Sequence, residues 1–509
     1  MISILKSAAI NGLDGYVVDI ETDIQNGLPA FNIVGLPERS VKESKERIRS
    51  AIKNIGYPFP DRRITVNLAP ADIKKEGSYF DLPIAIGILV SAGFVKPLRE
   101  NVLLIGELAL NGSLRSIKGV LSIVSSMAKS SCTDIIVPNE NKNEASVIKS
   151  MNVFPALDLK NAIEILTDIS KNPYTHDTKK YSKKEHDFGF EDVKGLELAK
   201  RALEIAASGN HNLLMIGPPG TGKTMLAKRF VTILPEMSED EAIETTKIHS
   251  IRGLLKDGEG LLIDRPFRSP HHTISDVALV GGGQDAHPGE VSLAHNGVLF
   301  LDEFPEFSKN IIESLRQPLE DGYVTVSRAQ NTFVYPSRFS LIAAMNPCRC
   351  GYYSDPTHIC KCTPNDIQRY LSKVSGPILD RIDLHIEVPR IDFLKASEVT
   401  TQEKSDDIRE RVIEVINLQE ERFKGIRTFR RNAHITSRYM KRFCELDENC
   451  KSLLRSAMDH YAFSPRSVNK IIKVARTISD MAKSESIKEE HIAEAVQYRI
   501  LDNKYFYNI

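Results

Sequence analysis

Eight consecutive residues, Gly217-Pro218-Pro219-Gly220-Thr221-Gly222-Lys223-Thr224, have the types and spacing needed to hold a chain of phosphates. The glycines at 217, 220 and 222 let backbone N–H groups close around phosphate oxygens. A helix beginning at the end of the string would present its N-terminus to the same anion. In this loop Lys223 is placed to reach the β- and γ-phosphates, and Thr224 to ligate Mg²⁺. An apolar strand-like run, Asn212 to Ile216, precedes the loop and a helical pattern follows it, the context such a loop requires.

A second constellation supplies the acids. Val298 to Glu303 reads VLFLDE: four apolar residues of a buried strand, then two carboxylates at its end. Asp302 is the expected Mg²⁺-side acid and Glu303 the expected base that polarises an attacking water. A third strand, Ser340 to Ala344, ends at Met345-Asn346. The Asn346 amide there has two readings: it orients water against the γ-phosphate, or it is a turn residue before Pro347. The implied cofactors are ATP and Mg²⁺.

These groups need elements to position them. The chain has 509 residues, enough for two to four domains each with its own core. Residues 1–170 alternate β-rich runs with helical stretches, notably Ser40 to Asn54, whose Val41, Ile48, Ala51 and Ile52 share one face. Residues 171–187 carry five lysines and almost no aliphatic side chains, which marks a linker. An ATPase core is expected over 188–392, and a helical domain over 393–509, where Ile408, Val412, Val415 and Ile416 recur at helical spacing. The fold class is therefore α/β with a C-terminal helical domain. Lys plus Arg equals Asp plus Glu at 67 each, so any nucleic-acid binding must come from local patches. Met1 to Ala9 has one lysine and too short an apolar stretch for a signal peptide, and the apolar run Leu82 to Val90 is far short of a membrane span, so a cytoplasmic protein without membrane association is expected.

GPPGTGKT, VLFLDE and AAMNPC, in this order, resemble an AAA+ module. Phe267 to Gly283 (FRSPHHTISDVALVGGG), Pro288 to Glu303 (PGEVSLAHNGVLFLDE) and Ser375 to Arg390 (SGPILDRIDLHIEVPR) resemble its magnesium-chelatase-like branch. With Val66 to Ala85 (VNLAPADIKKEGSYFDLPIA) and Gly106 to Gly119 (GELALNGSLRSIKG), nearly the whole chain resembles the ComM/YifB-like family. The resemblance implies a ring, usually a homo-hexamer, with active sites between subunits. It implies Asn346 as sensor 1, Arg381 as an arginine finger reaching the neighbouring site, and Arg466 as sensor 2 on the lid. It implies a DNA motor, a helicase that moves the branch point of recombination junctions during uptake of transforming DNA, with single-stranded and branched DNA as partners.

Asp302 lies further beyond Lys223 than one helix–strand–helix unit needs, so an insertion is expected between them, over residues 248–290. The family branch is similar in carrying an insert there and a hairpin before sensor 1. Tyr323 to Phe339 alternates like that hairpin. Arg328 at its tip is either a DNA-facing residue in a ring pore or part of a solvated turn. His271 and His272 are read as polar loop residues, because neighbours on a helix point apart and would not share a metal.

Cys348, Cys350, Cys360 and Cys362 form C-x-C-x₉-C-x-C just after Asn346. Two close pairs across a short loop suit a structural zinc held by four thiolates, an arrangement ComM-like proteins resemble. His358 is an alternative fourth ligand, and free thiols or disulfides are the other readings. Lys75 to Asp81 and Gly106 to Gly119 resemble the proteolytic domain of Lon and the related domain of RadA. The nucleophile position falls on Tyr79 and the lysine position on Leu121, so the fold is expected without protease activity. The run Arg422 to Arg442 includes Lys424, Arg427, Arg430 and Arg431, with Phe423 and Phe429 interleaved. These are DNA-contact candidates, whose aromatics could stack on bases or fill a core. The rival readings are a metal-chelatase motor subunit, an ATP-dependent protein-remodelling factor or protease, and a non-catalytic scaffold.

Overall fold

The computed structural model describes residues 2–507 except 129, 176–186, 257, 284–285, 328–331, 391–401 and 427. The chain forms two compact units, one of Met1–Lys183 with Ser238–Ile263, the other of Lys184–Met237 with Asp264–Ile509. Among the described residues, no helix is long and apolar enough to cross a membrane.

In the first unit, seven strands make one mixed sheet among the described residues: β1 (Ile2–Asn11), β2 (Asp14–Gln25), β3 (Ala30–Val34), β4 (Arg63–Ala69), β5 (Val102–Leu104), β6 (Asp134–Pro138) and β7 (Asn152–Ala156), in the order β3-β4-β2-β1-β5-β6-β7. Helices α1 (Arg39–Asn54), α2 (Asp81–Ser91), α3 (Val120–Met127), α4 (Lys142–Ala145) and α5 (Leu159–Thr167) accompany it. The expected amphipathic helix is α1: Val41, Ile48, Ala51 and Ile52 are buried while Lys42, Arg49 and Lys53 face solvent. Burying that face is what makes a charged sixteen-residue helix stable. The first residues of the expected linker continue onto the sheet edge, since the Tyr174 N–H donates to the Val153 carbonyl at 2.7 Å. The helix Glu239–Ile251, which the chain order places between the phosphate loop and the acidic pair, belongs to this unit, where it packs on α3.

In the second unit, five parallel strands form the sheet among the described residues: β8 (Leu213–Ile216), β9 (Phe267–Arg268), β10 (Val298–Leu301), β13 (Ser340–Met345) and β14 (Leu384–Glu387), in the order β9-β10-β13-β8-β14. Between β10 and β13 an antiparallel hairpin of β11 (Tyr323–Ser327) and β12 (Thr332–Pro336) pairs Ser327 with Thr332 at its end. This is the hairpin the alternation predicts, and Arg328 at its tip lies outside the described residues. Strands β8, β10 and β13 are buried along their length, as parallel strands covered on both faces must be. Helix α6 (Glu197–Gly209) and helix α7 (Lys223–Phe230) share one core with the C-terminal helices Ser405–Arg422, Pro465–Met481 and Glu489–Gln497. Ile408, Val412 and Ile416 enter that core beside Leu203, Ile471 and Val474. The fold is α/β with a parallel sheet and a C-terminal helical region, as read from the sequence.

Candidate nucleotide site and cysteine cluster

A parallel sheet gathers its chemistry at the carboxyl ends of its strands, on either side of the point where strand order reverses. Here β8 lies between β13 and β14, and the glycine loop leaves its end. Gly220 and Gly222 adopt left-handed backbone, φ +78° and +88°. A β-carbon at Gly217 would stand 2.2 Å from the Val388 carbonyl oxygen. Only glycine lets the loop pass there.

Lys223 opens helix α7 and turns back into the loop. Its Nζ donates to the carbonyls of Gly217 (2.7 Å) and Pro218 (2.8 Å) and to Asn346 Oδ1 at 3.2 Å. Burial holds its ammonium down to about 8, against the pull of Asp302. The Thr224 hydroxyl donates to Asp302 Oδ2 at 2.7 Å, and Asp302 Oδ1 accepts the Glu303 N–H at 2.9 Å. Three strand ends therefore converge: the loop after β8, the acids after β10 and the amide after β13. Lysine, hydroxyl and carboxylate form a set that fits a Mg²⁺-bound triphosphate.

Glu303 sits at φ +52°, a left-handed conformation costly for a glutamate. Its Oε2 lies 3.3 Å from His272 Nδ1. By sequence His272 is a polar loop residue. Strand register places it otherwise: Phe267 pairs with Val298 and Arg268 with Leu299, so continuing the parallel ladder sets 272 opposite 303. His272 is braced by the His271 ring at 4.1 Å and edge-on by Phe307 at 6.4 Å. A histidine four residues past a short strand was the available signal, but its partner lies on another strand.

The remaining site candidates lie outside this hydrogen-bonded group. Arg381 donates to the Pro377 carbonyl at 2.6 Å and pairs with Glu320 of its own chain. Arg466 is exposed at the second position of the helix Pro465–Met481. Phe423 and Phe429 fill the core, with ring centroids 4.9 Å apart. Arg431 pairs with Glu420 at 3.0 Å, whereas Lys424 and Arg430 are exposed and Arg427 lies outside the described residues.

The four cysteines close up as a group, their sulfurs all within 4.8 Å of one another. Cys348 Sγ lies 3.4 Å from Cys350 Sγ and 3.7 Å from Cys360 Sγ, and Cys350 Sγ is 3.5 Å from Cys360 Sγ. Tetrahedral zinc with Zn–S of about 2.3 Å separates its sulfurs by roughly 3.8 Å. The donor set fits. Burial pushes the Cys350 thiol up, but the N–H groups of Tyr352 and Lys361 and the neighbouring thiols outweigh it and bring it down to about 6. His358 stands apart from the four, stacked on Tyr352 and bonded to Thr357. This cluster also touches the phosphate loop: a β-carbon at Gly351 would lie 2.7 Å from Pro219 Cδ. Nothing in the local spacing of the cysteines announces that contact.

In the first unit, the positions matched to a Lon dyad hold other chemistry. Tyr79 is buried, and burial together with Glu144 holds its hydroxyl far above the usual phenol range. The Leu121 N–H is engaged by Glu144. Neither position offers a base and nucleophile pair.

Family models of magnesium chelatase subunit ChlI match three stretches of the chain: residues 189–396, 20–141 and, for its C-terminal part, 402–499. Over 506 residues the chain is 42% identical to competence protein ComM of Haemophilus influenzae, covering 98% of both. The chain belongs to the ComM/YifB-like family of magnesium-chelatase-like AAA+ ATPases. The YifB protein of Escherichia coli is likewise 42% identical over 507 residues, 98% of this chain and 97% of that protein. The magnesium-chelatase subunit ChlI of Trieres chinensis shares 25% identity over only 196 residues, 34% of this chain and 55% of its own. The likeness to ComM and YifB runs along nearly the whole chain, whereas the direct alignment with that ChlI protein covers only part of it.

Proposed function

We propose that this protein is an ATP-hydrolysing DNA motor that migrates the branch point of recombination junctions, in the service of natural transformation or homologous recombination. The observation that carries the reading is the joint placement of Lys223, Thr224, Asp302 and Asn346 within one hydrogen-bonded site, in a chain that aligns end to end with a competence protein. On this reading Lys223 neutralises charge on the phosphates, Thr224 and Asp302 hold Mg²⁺, and Glu303 takes the proton of the attacking water. Asn346 orients that water, while Arg381 and Arg466 complete the site at the subunit boundary and the lid of a cytoplasmic homo-hexamer. The bound Mg²⁺ supplies charge neutralisation at the phosphates. Cys348, Cys350, Cys360 and Cys362 hold a structural zinc. Residues 1–170 form an inactive Lon-like domain, 171–187 a linker, 188–392 the ATPase core and 393–509 the lid. The hairpin of β11 and β12 supports a pore element, with Arg328 at its tip.

The test is ATP hydrolysis without DNA and with single strands, duplex and a four-way junction, with Lys223→Ala as control. DNA-stimulated hydrolysis lost in the variant, followed by ATP-dependent junction migration, is the expected result. A second reading, a chelatase motor subunit, draws support from the family models that carry that name. Robust hydrolysis indifferent to every DNA would favour it over the motor.

A further inference from the structure

The first unit contains a buried polar cluster that the nucleotide chemistry does not use. Glu144, in α4, is almost wholly buried. Its Oε1 accepts the Leu121 N–H at 2.8 Å and the Ser250 hydroxyl, and its Oε2 accepts Asn141 Nδ2 at 3.2 Å. Ser250 Oγ in turn accepts the Gly119 N–H at 2.8 Å. Ser250 is the penultimate residue of the helix Glu239–Ile251, whose Thr245, Thr246, His249 and Ser250 are buried. The turn Gly119–Leu121, where the Lon-like pattern would put its lysine, is occupied instead by a segment that the chain order assigns to the ATPase.

The attachment runs along both limbs of the segment. Asn143 Nδ2 donates to the Gly258 carbonyl at 2.8 Å, and the returning Leu262 N–H donates to Thr246 Oγ1 at 3.0 Å. Ile251 packs against Gly119, and the Lys118 stem lies across Gly253. Buried hydrogen bonds of this kind are costly to leave unmade, so the segment is held in one position within the first unit.

In the second unit, the two ends of the segment meet at one side chain. Arg265 donates to the Pro235 carbonyl (2.7 Å) and the Glu236 carbonyl (3.2 Å) before the segment, and to the Asn296 carbonyl at 2.7 Å. Asn296 stands two residues before β10, the strand that ends at Asp302 and Glu303. Arg265 itself leads into β9, whose register sets His272 against Glu303.

We propose that residues 238–263 are a strap through which the N-terminal domain sets the position of Glu303, with Glu144 and Ser250 as positioning residues for ATP hydrolysis. Glu144 and the turn Gly119–Leu121 form its socket. The strap rests on the ATPase reading but not on the DNA reading.

The experiment measures steady-state hydrolysis by the full chain with ATP alone, beside amide hydrogen exchange over the strap. Ser250→Ala and Glu144→Gln should speed exchange across 239–263 and lower kcat about two- to thirty-fold, with the KM for ATP unchanged. Ser250→Thr, which keeps the hydroxyl, should restore kcat. Ser122→Ala removes an equally buried hydroxyl that has no hydrogen-bond partner among the described residues, and should match the wild type. Faster strap exchange with unchanged kcat overturns the proposal, as does a Ser250→Thr no better than Ser250→Ala. So does an equal loss in Ser122→Ala, which would mean that any defect in the domain suffices. A wild-type chain that hydrolyses no ATP would sink the ATPase reading itself, an outcome distinct from all three.

Discussion

Replacing Gly351 by alanine tests whether the cysteine cluster supports the phosphate loop. Gly351 sits at φ +88°, and its new β-carbon would lie 2.7 Å from Pro219 Cδ and 3.9 Å from Asn346 Cγ. The left-handed backbone alone costs an alanine roughly 1–2 kcal/mol. Overpacking against a ring held in a tight loop adds about 1–3 kcal/mol. Gly425→Ala separates the two terms, because Gly425 has φ +87° and no described residue within 4 Å of its β-carbon position. Both variants should lose stability in chemical denaturation, with Gly351→Ala losing about 1–3 kcal/mol more. The decisive assay is equilibrium binding of a fluorescent ATP analogue. If Pro219 yields to the methyl, the loop must be pushed back before it can close on phosphate. Each 1.4 kcal/mol so spent weakens binding about tenfold. Gly351→Ala should therefore bind nucleotide about tenfold more weakly or worse, while Gly425→Ala binds as the wild type does. Equal nucleotide affinity in the two variants would refute the idea that the cluster shapes the phosphate loop.

Three further outcomes are expected. His272→Ala should lower kcat about tenfold with little change in KM, because on the proposed mechanism Glu303 is the general base, and His272 touches it and neither Lys223 nor Thr224. Metal analysis should find one zinc per chain, lost with Cys360→Ser, and the loss should lower thermal stability and weaken nucleotide binding together. Asp81 is a buried carboxyl that burial raises to about 6, against the hydrogen bonds and charge of Arg47. Its folded value exceeds its unfolded one, so the native state binds the extra proton between about pH 4 and 6, and stability falls as pH rises through that window. The stability of Asp81→Asn relative to wild type should therefore rise by about 2–3 kcal/mol from pH 4 to 6.5, read from denaturant curves. A pH-independent difference would show that the carboxyl titrates normally.

The chemistry of this protein was legible wherever it is written in one short stretch. The phosphate loop could be read because its glycines, lysine and threonine act through their own backbone turn. The acidic pair, the hairpin and the cysteine pairs were legible for the same reason, since a strand end or a short loop brings neighbours in sequence together in space. The helical region announced itself through the spacing of Ile408, Val412 and Ile416, which all enter the core. Phe423 and Phe429 were ambiguous, because an aromatic among arginines has the same pattern whether it meets a base or a core. Burial decided for the core.

Partnerships between distant residues were set by tertiary structure alone. His272 meets Glu303 because two parallel strands pair in one register rather than the next. Gly351 meets Pro219 because the loops after β8 and β13 leave adjacent strands side by side. Ser250 meets Glu144 because a helix from the middle of the chain packs against the first domain, which no periodicity encodes. The sequence by itself determined which groups have the types suited to phosphate and metal chemistry, since that depends on residue type and local spacing. Strand register, close packing and domain assignment decided what holds those groups in place, because they depend on contacts between segments far apart in the chain.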